Sequence, residues 1–208
     1  MATVGLKKIW LAVIDPNTQQ LIKPGTAEAP TFGVGKDGLL EVTDVMLGSK
    51  TANISNIEGS VSAIQGNNHN VDASIAKGNP AVELDFNNLP FLELQKMLGR
   101  TPDGKGGFVK TGAKPHVALI VNTESIDRKS NIYYGFANGI LSQTTLNNGT
   151  DTDQETRADD ALTYQSLAAT AFNGEQIKFY LDTVEGFKRE AMFKEVMGGY
   201  AADPAPKG

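Results

Sequence analysis

The sequence predicts a mainly β protein, an antiparallel β-sandwich or a partly closed barrel with helices on its flank. Glycine occurs 22 times among 208 residues, and turn signals rich in Gly, Asn and Pro separate short apolar runs. Residues 80–87 alternate apolar and polar side chains, which is typical of a half-buried antiparallel strand. Helical signals occur at about 88–98 and about 183–197.

The amino-terminal half predicts strands around one long unpatterned segment. Residues 6–14 form the first strand, which ends at the turn signal Asp15-Pro16. Residues 15–38 are rich in Pro, Gly and Thr without a period, so we interpret them as an extended arm or loop. Turn signals divide the region that follows, and its strands are predicted at 39–47, 51–64, 69–76 and 80–87.

The first helix has recognisable ends. Asn88 is placed to cap it, Pro90 suits its first turn, and Gly99 stands just past its last residue. Its apolar stripe contains Phe91, Leu94 and Leu98, with Met97 beside it.

The second helix is predicted from a capping-box pair, Asp182 and Glu185, to a glycine stop at 198–199. Its apolar residues form two sides instead of one stripe, with Phe193 and Met197 nearly opposite the others. Two apolar sides favour burial against the domain core and against a neighbouring subunit. The alternative is a loosely packed terminal helix with some exposed apolar surface.

The remaining strands are predicted at 115–122, 131–144, 160–171 and 175–181. Gly135 and Gly139 lie in the long second of these segments and indicate a bend or a close backbone approach. Such long strands with small, polar side chains suit a sheet that extends across subunits. We therefore expect one domain at 1–199, including the arm at 15–38, followed by a disordered tail at 200–208.

Composition excludes several classes of protein. A pI of about 5.1 argues against a general nucleic-acid binder, which needs a basic surface. The chain has no cysteine, so disulfides and zinc–thiolate sites are excluded. No apolar stretch approaches the roughly 20 residues of a spanning helix. We predict no cofactor and no membrane partner.

The acidic stretch 151–160 is the strongest charge feature, with five acids and one base. Its first acids match calcium-loop spacing, but Thr156 and Leu162 occupy the positions of the required Gly and Glu. The phosphate-loop-like run at 99–107 lacks the Ser or Thr that would bind magnesium. We predict neither metal binding nor enzymatic activity.

The order of features resembles the major tail tube proteins of long, non-contractile-tailed bacteriophages. The resemblance rests on the opening MATVGLKKIWLAVID, on KGNPAVELDFNNLPFLELQKMLG, and on IYYGFANGILSQTTLNNGTDTDQETRADDALTYQSLA. FNGEQIKFYLDT then leads into the last helix, and the likeness covers residues 5–198.

This resemblance implies hexameric rings that stack into a tube and let double-stranded DNA pass. It implies contacts with other copies of the chain and with tape-measure, tail-terminator and distal-tail proteins. It also implies a place in the virion after assembly in the bacterial cytoplasm. Two alternatives are a subunit of a type VI secretion-like tube and a carbohydrate-binding β-sandwich module.

We distinguish two groups of candidate functional residues. A channel wall that does not retain DNA should be neutral or negative, and the candidates for it are Glu58, Asp72, Glu83 and Asp85. The candidates for contacts between subunits are Asp151, Asp153, Glu155, Arg157, Asp159, Asp160, Phe193 and Met197.

Overall fold

The computed structural model describes residues 3–25, 32–110, 112–146, 148, 150 and 158–201. The strands are β1 (Thr3–Ile14), β2 (Leu39–Glu41), β3 (Ser49–Ser55), β4 (Val61–Gly66), β5 (His69–Ile75), β6 (Ala81–Phe86), β7 (Arg100–Pro102), β8 (Phe108–Lys110), β9 (His116–Ser125), β10 (Asn131–Phe136), β11 (Gly139–Ser142), β12 (Asp160–Ser166) and β13 (Lys178–Leu181). The helices are α1 (Phe91–Met97) and α2 (Arg189–Val196).

The strands form two larger antiparallel sheets. Sheet A has the order β13-β10-β9-β1-β2, and sheet B has the order β11-β12-β6-β3. Two separate hairpins, β4–β5 and β7–β8, complete the described strands. The predicted antiparallel sandwich with two helices is confirmed, and the two sheets do not close into a barrel.

The second half of β1, Ile9–Ile14, is buried on both faces of sheet A, which explains its unbroken apolar run. Ile9, Leu11 and Val13 point into the core between the two sheets. The alternate residues of β1, Trp10 among them, point into a second core that contains residues of α2. Because side chains alternate along a strand, one apolar run can serve two cores only when both faces are covered.

The carboxy-terminal helix begins later than predicted. Residues 183–186 are turns and a bend, residues 187–188 are irregular, and no side chain caps the first turn of α2. The capping box at Asp182 and Glu185 is therefore not formed. The buried residues near α2 are Met192, Phe193, Val196 and Met197, and their spacing forms one stripe. The predicted helix had two apolar sides because it included residues that precede α2 in the structure.

Helix α1 lies where it is predicted, but its ends differ in detail. Pro90 occupies the capping position, and no side chain there accepts a hydrogen bond, so Asn88 is not the cap. Gly99 follows the helix with a φ of +72°, as its position predicts. Phe91 is 61% exposed, in contrast to its predicted place in the core stripe.

The long segment predicted at 131–144 passes from one sheet to the other. It forms β10 in sheet A and β11 in sheet B, with a break at 137–138. At Gly139, a Cβ atom would lie 2.3 Å from the Tyr164 ring. The predicted close backbone approach is confirmed there. The segments predicted as strands at 39–47, 51–64 and 160–171 are also shorter or divided in the structure.

The described parts of the arm at 15–38 lie against the sandwich. Leu21 donates its backbone N–H to the Gly198 carbonyl at 2.8 Å, and Ile22 donates to the Val13 carbonyl at 2.9 Å. Val34 is fully buried in the core between the sheets. These contacts attach the arm to β1, to the segment that follows α2 and to the core between the sheets.

Candidate assembly surfaces

Sheet B continues beyond the sandwich as a two-stranded ribbon. The pairing of β3 with β6 reaches Ser55 opposite Ala81. Beyond it, the N–H of Asn79 donates to the Asn56 carbonyl at 3.0 Å, and that of Ala76 donates to the Ser60 carbonyl at 3.1 Å. The hairpin β4–β5 follows. We call the paired segments 49–66 and 69–86 the ribbon.

Two glycines shape the ribbon where it leaves the sandwich. A Cβ atom on Gly59 would lie 2.1 Å from the Ala76 carbonyl oxygen, and one on Gly78 would lie 2.2 Å from the Ile57 carbonyl oxygen. Side chains at these positions would separate the two strands. The sequence therefore provides the close strand approach that lets the ribbon continue.

The hairpin at the end of the ribbon is exposed almost throughout. Every residue of β5, and every residue of β4 except Gly66, is exposed. Val61 lies opposite Ile75, and Ala63 lies opposite Ala73, so these four side chains share one face. Val61 and Ile75 are 65% and 66% exposed. At roughly 3.4 Å per residue, β4 extends the ribbon by about 20 Å.

Sheet B has an uncovered outer face of polar character. In β6, Val82, Leu84 and Phe86 are buried, while Glu83 and Asp85 lie on the opposite face. Their cross-strand neighbours on this face include Thr51, Asn53, Ala161 and Thr163. Thr51 donates a hydrogen bond from Oγ1 to Asp85 Oδ2 at 2.9 Å.

Few cations lie near this face. The strands β6, β11 and β12 contain no Lys or Arg, and β3 contains one, Lys50. Lys50 Nζ lies 2.5 Å from Asp159 Oδ2. The hydrogen bond to Asp159 raises the pKa of Lys50. The outer face of sheet B therefore carries a neutral to negative charge.

Sheet B also ends in two open edges among the described residues. Its outermost strands are β3, with seven residues, and β11, with four. The free edge of a strand presents N–H and C=O groups that can pair with another chain. The edge strands of sheet A, β2 with three residues and β13 with four, are both shorter than β3.

The four candidate channel acids fall into two groups. Glu83 and Asp85 share the outer face of sheet B. Asp72 lies on the hairpin opposite Ile64, where its Oδ1 accepts the Ala73 N–H at 2.8 Å. Glu58 is exposed in the turn that precedes β4. The structure thus places all four acids on the ribbon.

The acidic loop is only partly described. Asp151, Asp153, Glu155 and Arg157 lie outside the described residues. Asp160 Oδ2 accepts the Leu89 N–H at 2.9 Å, so this carboxylate holds the entry to α1 within the subunit.

Phe193 and Met197 are buried within the chain, at 7% and 0% exposure. The Phe193 ring meets the Trp10 ring edge-on, with centroids 5.2 Å apart. A single chain does not test their contact with another subunit, which stays a prediction.

The sequence reasoning missed the aromatic surface beside α1. Phe91 and Leu92 are 61% and 58% exposed, and the Phe91 ring lies 5.5 Å from the Phe108 ring. Phe91 follows helical spacing, so its periodicity alone could not separate a core position from an exposed one. The Gly-rich run before Phe108 was the signal that a hairpin projects there.

The described residues contain no group of His, Asp or Glu placed to hold a metal ion. In the same part of the chain, no helix has the length and apolar character needed to span a membrane.

Comparison with known proteins identifies one family. The model of the family described as phage tail tube protein matches residues 1–205. A search of curated proteins finds no significant match.

Proposed function

The chain belongs to the phage tail tube protein family, and we propose that its copies assemble into stacked hexameric rings whose channel lets double-stranded DNA pass. Family membership makes the protein a structural subunit of the tail tube and a component of the virion. It also indicates a protein without enzymatic activity. The proposal includes assembly in the host cytoplasm and contacts with tape-measure, tail-terminator and distal-tail proteins.

The ribbon is the observation that carries this proposal. It leaves the sandwich with its hairpin exposed on both faces, and β3 has a free edge along its seven residues. An isolated two-stranded hairpin is marginally stable in water. Pairing β3 with an edge of the next copy would support the ribbon and remove an exposed edge.

The two ends of sheet B make a closed ring possible. The strands β3 and β11 are different surfaces, so joining them between copies is a head-to-tail contact. Such contacts generate rings when the rotation between copies closes. Sheet B would then run continuously around the channel.

We assign the channel wall to the outer face of sheet B. The outer face of sheet A is covered by α2, whereas that of sheet B is open. Glu83 and Asp85 would face the DNA, with Asp72 and Glu58 farther along the ribbon. A wall with few cations suits DNA passage because Lys and Arg contacts to phosphates supply most nonspecific affinity.

We assign the loop 151–160 to contacts between subunits or rings. Both described acids have a partner inside the subunit, Asp159 in an ion pair with Lys50 and Asp160 at the Leu89 N–H. Neutralising Asp159 is the milder test, because an exposed ion pair contributes little to stability. Phe193 and Met197 have little exposed surface. Contacts from these two residues with a neighbour would require α2 to shift.

Negative-stain microscopy of the concentrated protein tests the proposal. We expect six-fold rings or tubes from the native chain. The variant Val61→Lys/Ile75→Lys should remain unassembled, because it puts two like charges on the exposed hairpin. Ile126→Lys is the matched control, since Ile126 is 69% exposed in a turn away from the ribbon. Equal assembly of both variants would contradict the role of the ribbon.

A further inference from the structure

The strand order of sheet B determines which segments meet when two copies are joined. β11 pairs with β12, β12 with β6 and β6 with β3, and each of these pairings is antiparallel. The strands β3 and β11 therefore run in opposite directions, and β3 begins at the end of the sheet where β11 stops. A neighbour related by rotation about a ring axis keeps these directions. Joining β3 to β11 thus brings the segment before Ser49 close to Leu141 and Ser142.

The segment before β3 is a hydrogen-bonded turn with exposed side chains. We call Asp44, Val45 and Leu47 the edge turn. Val45 is 89% exposed and Leu47 is 52% exposed. Leu47 has a φ of +58°, a left-handed conformation that is rare for leucine, and its carbonyl accepts the side-chain amide of Asn87 at 2.7 Å. Backbone strain of this kind is concentrated at functional sites.

A group of cations lies beside the end of β11. Arg100 and Lys110 are directly opposite each other in the pairing of β7 with β8. Lys114 Nζ donates to the Leu141 carbonyl at 2.7 Å, on an outermost strand of sheet B. Burial lowers the pKa of Lys114, and the charges of Lys110 and Arg100 lower it further. We call Arg100, Lys110 and Lys114 the cation cluster.

No carboxylate neutralises the cation cluster within the described part of the chain. None of its members is in an ion pair, and the Arg100 guanidinium donates to the Gln95 amide oxygen at 2.9 Å. The one acid of residues 100–114, Asp103, accepts two backbone N–H groups of its own loop at 2.8 Å. Like charges directly opposite each other destabilise a strand pair. A carboxylate from outside would therefore stabilise the hairpin β7–β8.

The edge turn carries the opposite charge. Asp44 is exposed and has no ion-pair partner among the described residues. The next cation along the chain, Lys50, is already paired with Asp159. The acid of the edge turn and the cation cluster are thus complementary surfaces that do not meet within one chain.

We propose that the edge turn of one copy docks on the cation cluster of the next copy, with Asp44 as the carboxylate that the three cations bind. Lys114 then leaves the Leu141 carbonyl for this carboxylate, because a charged acceptor forms the stronger hydrogen bond. The freed carbonyl becomes available to a backbone N–H of the neighbour's β3. The contact lies at the end of sheet B opposite the ribbon. This inference rests on the proposed joining of β3 and β11 and adds the side chains that hold the two copies together.

Cysteine cross-linking tests the contact directly, because the native chain contains no cysteine. One preparation carries Val45→Cys, and a second carries Ala113→Cys at an exposed position next to Lys114. After the mixture is concentrated to assemble it, a short bismaleimide should link the two variants. The expected product is a heterodimer, identified by mass spectrometry of the joined peptides.

The control replaces Ala113→Cys with Ile126→Cys, an exposed position at the opposite end of β9 from Lys114. We expect at least about fivefold more heterodimer from the Ala113→Cys mixture, the ratio that about 1 kcal/mol produces. Equal yields would overturn the contact. Rings or tubes that form with equal yields would leave the proposed function standing. An enriched cross-link without any ring or tube would support the contact and count against the tube.

Charge reversal provides a second readout. Asp44→Lys in the Val45→Cys chain should lower the heterodimer yield about fivefold, because the new charge meets three cations. Adding Lys110→Glu to the Ala113→Cys chain should raise the yield again. Lys105→Glu, in the exposed loop of the same hairpin, is the matched control and should not raise it. Circular dichroism checks that each variant keeps the fold. A yield that ignores Asp44→Lys, or that recovers no better with Lys110→Glu than with Lys105→Glu, would overturn the proposal.

Discussion

Gly139 lies where the chain enters sheet B, and its replacement by alanine tests how closely the two sheets pack around Tyr164. A Cβ atom at this position would lie 2.3 Å from both Cζ and Oη of Tyr164 and 2.6 Å from the Gln165 carbonyl oxygen. Tyr164 is fully buried, and its hydroxyl donates to the Val117 carbonyl at 3.0 Å. Gly139→Ala must therefore displace a core side chain, a backbone segment, or both.

The cost follows from two contributions. Overpacking a filled core costs about 1–3 kcal/mol. Loss of the Tyr164 hydrogen bond, which joins sheet B to β9 of sheet A, adds about 1 kcal/mol. We expect Gly139→Ala to lower the free energy of unfolding by about 2–4 kcal/mol. Urea unfolding followed by the fluorescence of Trp10, the single tryptophan, measures this change.

Two further variants make the test specific. Gly66→Ala makes the same chemical change beside the exposed side chain of Val71, which can move aside, so it should cost little. In a Tyr164→Phe background, Gly139→Ala should cost less by about 1 kcal/mol, because the hydroxyl is already absent. A cost for Gly139→Ala no larger than that of Gly66→Ala would refute the reasoning.

Three other outcomes follow from the structure. Phe193→Ala should destabilise the subunit by about 3–5 kcal/mol and shift the Trp10 emission to longer wavelength, whereas Phe91→Ala, at an exposed site, should change urea stability little. Asp15→Asn should lower the free energy of unfolding at neutral pH but not in acid, because the backbone N–H groups of Thr18 and Asn17 hold the pKa of Asp15 below its unfolded value. The stabilisation by the Asp15 carboxylate is therefore present above the unfolded pKa and is lost as the pH falls through the folded pKa. Urea midpoints of the native chain and the variant across pH measure this, and a difference that persists in acid would contradict it. Glu83→Lys/Asp85→Lys should leave the fold intact and raise affinity for duplex DNA in a salt-dependent way, which fluorescence anisotropy measures; unchanged affinity in assembled tubes would argue against sheet B as the channel wall.

The candidate site was only partly predictable. The alternation in 80–87 identified Glu83 and Asp85 as neighbours on one exposed face, because a strand repeats every two residues. No such alternation showed which acids of 151–160 bind other groups within the subunit. Asp160 binds a backbone N–H at the start of α1, a contact between segments 71 residues apart that no local pattern contains.

The amino-acid sequence by itself determined the sandwich class, the place of α1 with its glycine stop, the turns that delimit the ribbon, and the likeness to tail tube proteins. The first three depend on local periodicity and turn chemistry, which neighbouring residues specify. The likeness rests on the order of these features along the chain. Only the tertiary structure decided that 131–142 crosses between the sheets, that α2 starts at Arg189, and that Phe91 is exposed. Each of these depends on contacts between distant segments, since packing determines where a strand breaks and which apolar side chains are covered.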